Sequence, residues 1–424
     1  MWLMDILRKD APDRPTRHRV GTDGGPTGTD VLPKCGLDEW IPGIRWLTVG
    51  CVLVDSSTPA IGCPPRGTGL ARRFHRGPFP LSFPAFCRSV RMAHFVGIEI
   101  GGTKLQLAVG SGEGPPFQAL VRDTVASPGT AAQIQRQIVA GFQRLLAEAR
   151  LSPAEIAGIG IGFGGPVDSQ AGTIVTSHQV EGWNGFRIVD WLQRETGRPV
   201  VLHNDADSAA FAEAMFGAGR GFDPVLYVTV GSGIGGGMVF RGKVYRGEGA
   251  GALEIGHLRP LGTPANIPLA GTTVESIASG FGITQRAQRL LSEPGLAGRL
   301  GVGSTEGLAR LCGGNPAQLN TRLIVEGARG NDAVCQKLLA DSTDTLGWAL
   351  AQAIALLNPA RIVIGGGVSL IGEAEFFEPV RAACRRFCFA PFRDLAQIVP
   401  ARLEEEVVVH GALALARGEF GPTA

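Results

Sequence analysis

Three bursts of glycine, each directly behind an apolar run of β-strand character, constrain this chain more than any other feature. They are Gly101-Gly102-Thr103-Lys104 after FVGIEI, Gly231-Ser232-Gly233-Ile234-Gly235-Gly236 after VLYVTV, and Gly365-Gly366-Gly367 after RIVI. A turn free of Cβ atoms lets several backbone N–H groups approach one anion, and a Thr or Ser hydroxyl adds a donor. A tight hairpin is the better explanation of any single cluster. Three together favour a nucleotide whose phosphates are gripped from both sides. Glycine makes up 62 of the 424 residues, about twice its usual share, with no collagen-like period.

Two G-x-G-x-x-G matches, Gly160–Gly165 and Gly231–Gly236, do not indicate a dinucleotide site. That fingerprint needs a helix opening within it, so that pyrophosphate meets the helix N-terminus. Here the first runs into Pro166-Val167-Asp168 and the second into MVFRGKVY, a strand pattern. No G-x-x-x-x-G-K-[ST] loop occurs, which excludes a P-loop enzyme.

The pattern from Phe95 onward reads as two similar α/β halves. The first opens with the FVGIEI strand, the GGTK turn and the LQLAVG strand. An amphipathic helix over 131–149 follows, then a strand over 156–163, a helix over 187–195, a strand over 199–203 and a helix over 205–216. The second opens with a strand over 225–230, a turn over 231–237 and a returning strand over 238–240. Helices are expected over 274–291, 317–327, 332–339 and 341–357, with a last buried strand over 361–364. Two mixed sheets facing one another imply a cleft between them, where ligands bind.

Residues 1–92 do not share this pattern. Up to Arg91 they hold 13 Lys+Arg against 8 Asp+Glu and are broken by proline throughout. The expectation is a disordered or non-native extension ahead of Met92; the alternative is a targeting or nucleic-acid-binding arm, for which the charge excess is small. No uncharged apolar run reaches the length of a membrane span. The core cysteines, Cys312, Cys335, Cys384 and Cys388, lack disulfide-framework or zinc-ribbon spacing. That fits a reducing, cytoplasmic setting. Cys384 and Cys388, four apart, read as a buried apolar pair rather than a metal pair.

Asp205 follows a strand and opens a helix, which puts its carboxylate at the cleft. As a catalytic base it competes with a plain helix cap, which Asn204, Asp205 or Asp207 could each supply. Glu254 and His257, three apart, can face one ligand. Asp168 reads as a turn stabiliser, and His178 and His203 as structural.

With these residues in place, the chain resembles the ROK family of sugar kinases and repressors over nearly all of 95–418. GIEIGGTK (97–104) resembles the family's first phosphate motif and GIGIGFGGPVD (158–168) its sugar loop. LHNDADSAAFAE (202–213) resembles the catalytic-base motif, and VTVGSGIGGGMVFRGKVYRG (228–247) the second phosphate motif. EIGH (254–257) and VESIASG (274–280) resemble sugar-binding motifs, and RIVIGGGVS (361–369) the adenosine motif.

The resemblance implies an actin-like, hexokinase-like (ribonuclease H-like) two-domain α/β ATPase fold with a central cleft. The small domain would take 93–204 plus about 400–424, and the large domain 205–399. It implies transfer of the γ-phosphate of ATP, with Mg²⁺, to a hexose such as glucose, by a homodimer without nucleic-acid or membrane partners. Asp205 would be the base, with Gly164, Gly165, Asn204, Glu254, His257 and Glu275 on the sugar. Gly101, Gly102, Thr103, Lys104, Gly231, Ser232, Gly233, Gly366 and Gly367 would line the nucleotide.

Two departures stand out. Glu99 replaces the usual Asp of the first phosphate motif, and its extra methylene alters any contact with Mg²⁺. The stretch after His257, LRPLGTPANIPLAGTTVE, lacks the cysteines that complete the family's structural zinc site, so no zinc is expected there. Two alternatives remain: a sugar-sensing repressor, which would carry a helical DNA-reading domain, and a polyphosphate-dependent glucokinase. The latter would use a cationic track, for which Arg241, Lys243 and Arg246 are the candidates.

Overall fold

The computed structural model describes residues 93–125, 129–177, 180–248, 251–260 and 272–421. The expectations for 1–92, for His178 and for the middle of the cysteine-free stretch (261–271) lie outside the described residues.

The first apolar run forms β1 (His94–Ile100), which turns through Gly101–Thr103 into β2 (Lys104–Gly110), with Glu99 opposite Gln106. β3 (Ala119–Thr124) adds to β2, and α1 (Ala131–Ala149) follows. Thr130 starts α1 with a capping box, and Ile134, Ile138, Phe142 and Leu145 form its buried stripe. β4 (Ile156–Phe163) then leads into a small ribbon of β5 (Val167–Asp168) and β6 (Thr173–Ile174), followed by α2 (Ile188–Thr196), β7 (Val200–Asn204) and α3 (Asp205–Met215). The sheet order is β3-β2-β1-β4-β7, antiparallel across β3-β2-β1 and parallel across β1-β4-β7.

The second half repeats this plan. β8 (Val225–Val230), β9 (Ile234–Phe240) and β10 (Lys243–Val244) form an antiparallel meander. Then come α4 (Val274–Ala278), α5 (Gly280–Ser292), α6 (Leu296–Arg299), α7 (Glu306–Leu311), α8 (Thr321–Arg329) and α9 (Ala333–Leu357). β11 (Arg361–Gly365), α10 (Glu378–Phe387), β12 (Gln397–Pro400) and α11 (Val407–Phe420) complete it. The order β10-β9-β8-β11-β12, with β8-β11-β12 parallel, matches the first sheet strand for strand. In this correspondence α11 after β12 is the counterpart of α3 after β7. The two-domain α/β fold expected from the sequence is the one observed.

α3 and α11 lie between the sheets. Ala209, Ala210 and Ala212 pack with Val225, Tyr227, Val407 and Val408, while Val409, Leu413 and Ala416 pack on Phe95 and Ala108. Glu213, fully buried on α3, ties this region together. One carboxylate oxygen accepts the Arg402 and Leu403 amides, both at 2.8 Å, and the other accepts the Ala218 amide. Three charge-assisted hydrogen bonds offset the cost of burying the carboxylate.

Several boundaries differ from expectation. The second glycine turn ends sooner: Gly235, Gly236 and Gly237 belong to β9. Gly236 and Gly237 are needed for close approach, since a Cβ on Gly237 would lie 2.6 Å from the Ala206 carbonyl oxygen and one on Gly236 2.6 Å from that of Leu253. The helix expected over 274–291 breaks at Ser279, whose hydroxyl caps α5 by accepting from the Gly282 amide. The two helices expected over 332–357 are one, of 25 residues. Cys384 and Cys388 are buried and unbridged, as are Cys312 and Cys335. Among the described residues no helix is long and apolar enough to cross a membrane.

Candidate active site

The predicted glycines, with Asn204 and Asp205, sit at the carboxyl ends of the strands, the usual binding edge of such sheets. Gly101 and Gly102 follow β1, Gly164 and Gly165 follow β4, and Asn204 and Asp205 end β7 and open α3. In the second half Gly231–Gly233 follow β8, and Gly366 and Gly367 follow β11. The first group is knitted by backbone: the Gly164 amide donates to the Ile100 carbonyl at 2.9 Å and the Gly101 amide to Lys104 at 2.9 Å.

Two competing roles at the start of α3 are divided between neighbours. Asn204 is the cap: its Oδ1 accepts the Ala206 and Asp207 amides, and its Nδ2 donates to the Gly165 carbonyl at 3.0 Å. One amide hydrogen of Asn204 is left for a ligand. Asp205 also accepts from the Ala206 amide through Oδ1, while its Oδ2 faces Gly164, where a Cβ would stand 3.4 Å away. The Asp205 carboxyl is pushed up to about 6, chiefly by burial; hydrogen bonds from the Ala206 and Asp205 amides oppose this and the Glu254 charge adds to it.

Glu99 lies across from Asp205, 8% exposed. Its Oε1 is 3.1 Å from Lys104 Nζ, and its Oε2 is buried without a partner. Burial raises Glu99 to about 7, Lys104 opposes the rise, and Asp205 and Glu405 add to it. Lys104 and Gln106 both donate to the Glu405 carbonyl ahead of α11.

Glu254 and Glu275 lie at the second glycine turn, and His257 ends the short turn that follows Glu254, with its side chain exposed. The short turn Ile255–His257 packs so closely on β9 that a Cβ on Gly256 would overlap the Ile234 carbonyl. Glu275 Oε2 accepts the Ile234 amide at 2.8 Å and closes over Gly233. Glu275 therefore braces this turn, whatever else it touches. Glu254 stands at the same rim, near enough that its charge raises both Asp205 and Asp207.

Two cavities open along this edge. One, of about 600 Å³, is lined by Glu99, Lys104, Asp205, Thr229, Gly366 and Glu405 among others. The second, of about 850 Å³ and mainly apolar, is bounded by Gly231, Ser232, Phe281, Thr321, Val368 and Ile371 among others. Both reach Gly367 and Leu370, so they adjoin. Together they provide a carboxylate-bearing trough beside Asp205, otherwise walled by apolar groups such as Tyr227, Phe377 and Val408, and an apolar chamber beyond the glycine turns.

The small cationic cluster considered for a polyphosphate donor does not form one track. Arg241 donates its amide to Asp223 and lies over the Phe240 ring, 4.9 Å from its centroid. Arg246 instead reaches inward, its Nη2 2.9 Å from His203 Nδ1. Burial and then the Arg246 charge lower His203 to about 3, so the ring is neutral and Nδ1 accepts. His203 is thus structural, as expected, and Asp168 holds its turn through the Gln170 and Ala171 amides. Asp207, named in the sequence only as a possible cap, is buried and raised to about 7 by desolvation, against the opposing charge of Arg246, which lies far off in sequence. Among the described residues no group of three His, Cys, Asp or Glu is arranged to hold a metal ion.

The sequence profile of the ROK family matches residues 95–419. A glucokinase of Thermotoga maritima is 29% identical over 331 residues, 77% of this chain and 98% of that protein. A ROK hexokinase from Thermus thermophilus superposes with a TM-score of 0.63 at 29% identity, over 77% of this chain and 98% of the other. A ROK family glucokinase from Streptomyces griseus, solved in complex with glucose and AMPPNP, gives 0.60 at 30% identity, over 77% and 99%.

Proposed function

The chain belongs to the ROK family and is a sugar kinase within it, and we propose that it transfers the γ-phosphate of ATP to glucose, forming glucose 6-phosphate. The observation that carries this reading is the Asp205 carboxylate, relieved of sole capping duty by Asn204 and turned toward Gly164 at the edge of the trough. Phosphoryl transfer is mainly positioning and charge neutralisation, with one base for the acceptor hydroxyl. Asp205 takes that proton. Gly164, Gly165, the free amide hydrogen of Asn204, Glu254, His257 and Glu275 orient the sugar. The amides of Gly101–Thr103, Gly231–Gly233 and Gly366–Gly367, with Lys104, hold the phosphates.

Glu99 fits a Mg²⁺ contact, because its buried Oε2 is a hard oxygen donor with no partner. Bound there directly or through water, the ion would neutralise charge building on the transferred phosphoryl group. Closure of the two domains, 93–204 plus about 400–424 against 205–399, excludes water and suppresses hydrolysis.

Two alternatives fare worse. The trough sets four carboxylates, Glu99, Asp205, Glu404 and Glu405, against Lys104, which opposes a long polyanion and suits a metal-bound triphosphate. A repressor would have no use for a poised base next to phosphate-sized turns. The test is a coupled assay with glucose, other hexoses, ATP and polyphosphate. Glucose 6-phosphate formed from ATP, with ADP release that requires sugar and is strongest with glucose, and no glucose 6-phosphate formed from polyphosphate, is expected; sugar-independent release, or promoter DNA binding relieved by sugar without turnover, would sink the proposal.

The pH dependence follows from Asp205. The base works only when ionised, so kcat/KM for sugar falls as pH drops through about 6 and levels off above about 7, where Glu99 is also charged. Since kcat/KM reports the free enzyme, the profile should show one ascending limb in that window. A profile flat from pH 5.5 to 8 would contradict the assignment.

A further inference from the structure

The apolar chamber beyond the glycine turns says something about the donor that its phosphate contacts do not. Resting on the kinase reading above, we propose that this chamber holds the nucleobase by apolar contact and size alone, so that GTP and other purine triphosphates serve nearly as well as ATP. Two large apolar side chains face the chamber from different elements and remain largely bare: Phe281 of α5, 62% exposed, and Leu370 after β11, 79% exposed. Exposed apolar groups on one cavity gain by covering a flat ring, and an aromatic side chain does so without regard to the ring's edge pattern.

Several of the polar groups around the chamber are already engaged. Thr321 donates to the Gly280 carbonyl at 2.9 Å and pairs with Thr284 at 3.3 Å. Arg329 holds Glu375 through Nε and Nη2, and Arg322 holds Glu326. The glycine-turn carbonyls of Gly231 and Ser232 accept the amides of Gly280 and Phe281.

Adenine and guanine differ at the six position by exchange of a donor for an acceptor. Strong rejection of the wrong base requires a buried polar group that it leaves unpaired. Of the polar side chains on the chamber's wall, Asn320 accepts the Leu323 amide through Oδ1 and Thr321 donates to the Gly280 carbonyl. Arg322 and Glu326 at its rim are exposed, and water satisfies whatever a base leaves unpaired there.

The experiment compares ATP, GTP, ITP, CTP and UTP as donors to glucose with the full chain. GTP and ITP are expected within about 30-fold of ATP in kcat/KM, the range a mainly apolar pocket can enforce; a larger preference for ATP overturns the proposal. Phe281→Ala and Leu370→Ala should raise the KM for ATP and GTP in parallel, by about tenfold, without changing the KM for glucose. Unchanged nucleotide KM in both variants, or a rise for ATP only, also overturns it. Displacement of a fluorescent ATP analogue by GTP reads base tolerance without turnover. If GTP displaces the analogue but no donor supports sugar-dependent release, the kinase reading fails and the proposal on the base stands.

Discussion

Asp205→Asn is expected to lower kcat by about 10³-fold, close to 4 kcal/mol of transition-state stabilisation, with KM for ATP and glucose within a few-fold of the parent. The substitution keeps the shape of the side chain and leaves an oxygen to accept from the Ala206 amide, so the first turn of α3 stays intact. The ability to receive a proton is lost. Because Asn204 already caps α3 with its own Oδ1, stability should change little, and a melting curve separates chemistry from folding. The same variant should erase the ascending limb of the pH profile near pH 6. Activity above a tenth of the parent, or a limb still present, would assign the proton to another group, with Asp207 the nearest candidate.

What the sequence disclosed follows from which interactions are local. The strand ending at Ile100, the glycine turn and the strand from Lys104 are consecutive and alternate plainly, and α1 carries an uninterrupted stripe; both stood out. α11 did not, because Val407–Ala416 is apolar nearly all round and buried on most sides, which leaves no periodic stripe to detect. Gly235–Gly237 looked like more turn because glycine shows no strand alternation; in β9 the Ala206 backbone of α3 presses on Gly237 and the Leu253 carbonyl on Gly236. Asp341 in α9 looked like a helix start, but it pairs there with Arg286 and Lys337. At the site, Asp205 was legible from the strand-to-helix junction. Arg246, reaching from after β10 to His203, was not, since nothing in a basic hairpin edge distinguishes an outward from an inward cation. The same holds for Glu213, whose three amide donors include two nearly 190 residues away.

The matching strand orders of the two halves explain why the site needs both. Each half contributes one glycine turn after its first strand, β1 or β8, and another after its fourth, β4 or β11. The helices that follow the fifth strands, α3 and α11, meet between them. Asp205 begins the first of these helices, while Glu404 and Glu405 precede the second and line the same trough. The distance between the phosphate turns and the base is therefore set by how closely α3 and α11 approach.

That approach is backbone against backbone, and it yields the largest expected effect on stability. A Cβ on Gly411 of α11 would overlap the carbonyl group of Ser208 on α3, and one on Gly160 of β4 would overlap the carbonyl of Ala412. The first obstacle is the main chain of a helix anchored through Glu213, so it cannot swing aside as a side chain would. Gly411→Ala is thus expected to cost about 3 kcal/mol or more, at the upper end for overpacking a core, despite the gain in intrinsic helix propensity of about 1 kcal/mol. Urea unfolding with both variant and parent measures it. In conditions where the variant remains folded, α11 must have shifted from α3, and kcat should fall because the carboxylate of Asp205 no longer meets the phosphate turns at the same spacing. Gly418→Ala, in the last turn of the same helix with nothing near its missing Cβ, should stabilise slightly through propensity alone. A penalty below about 1 kcal/mol at Gly411 would mean that the two helices slide freely, and that their contact does not set the spacing of the site.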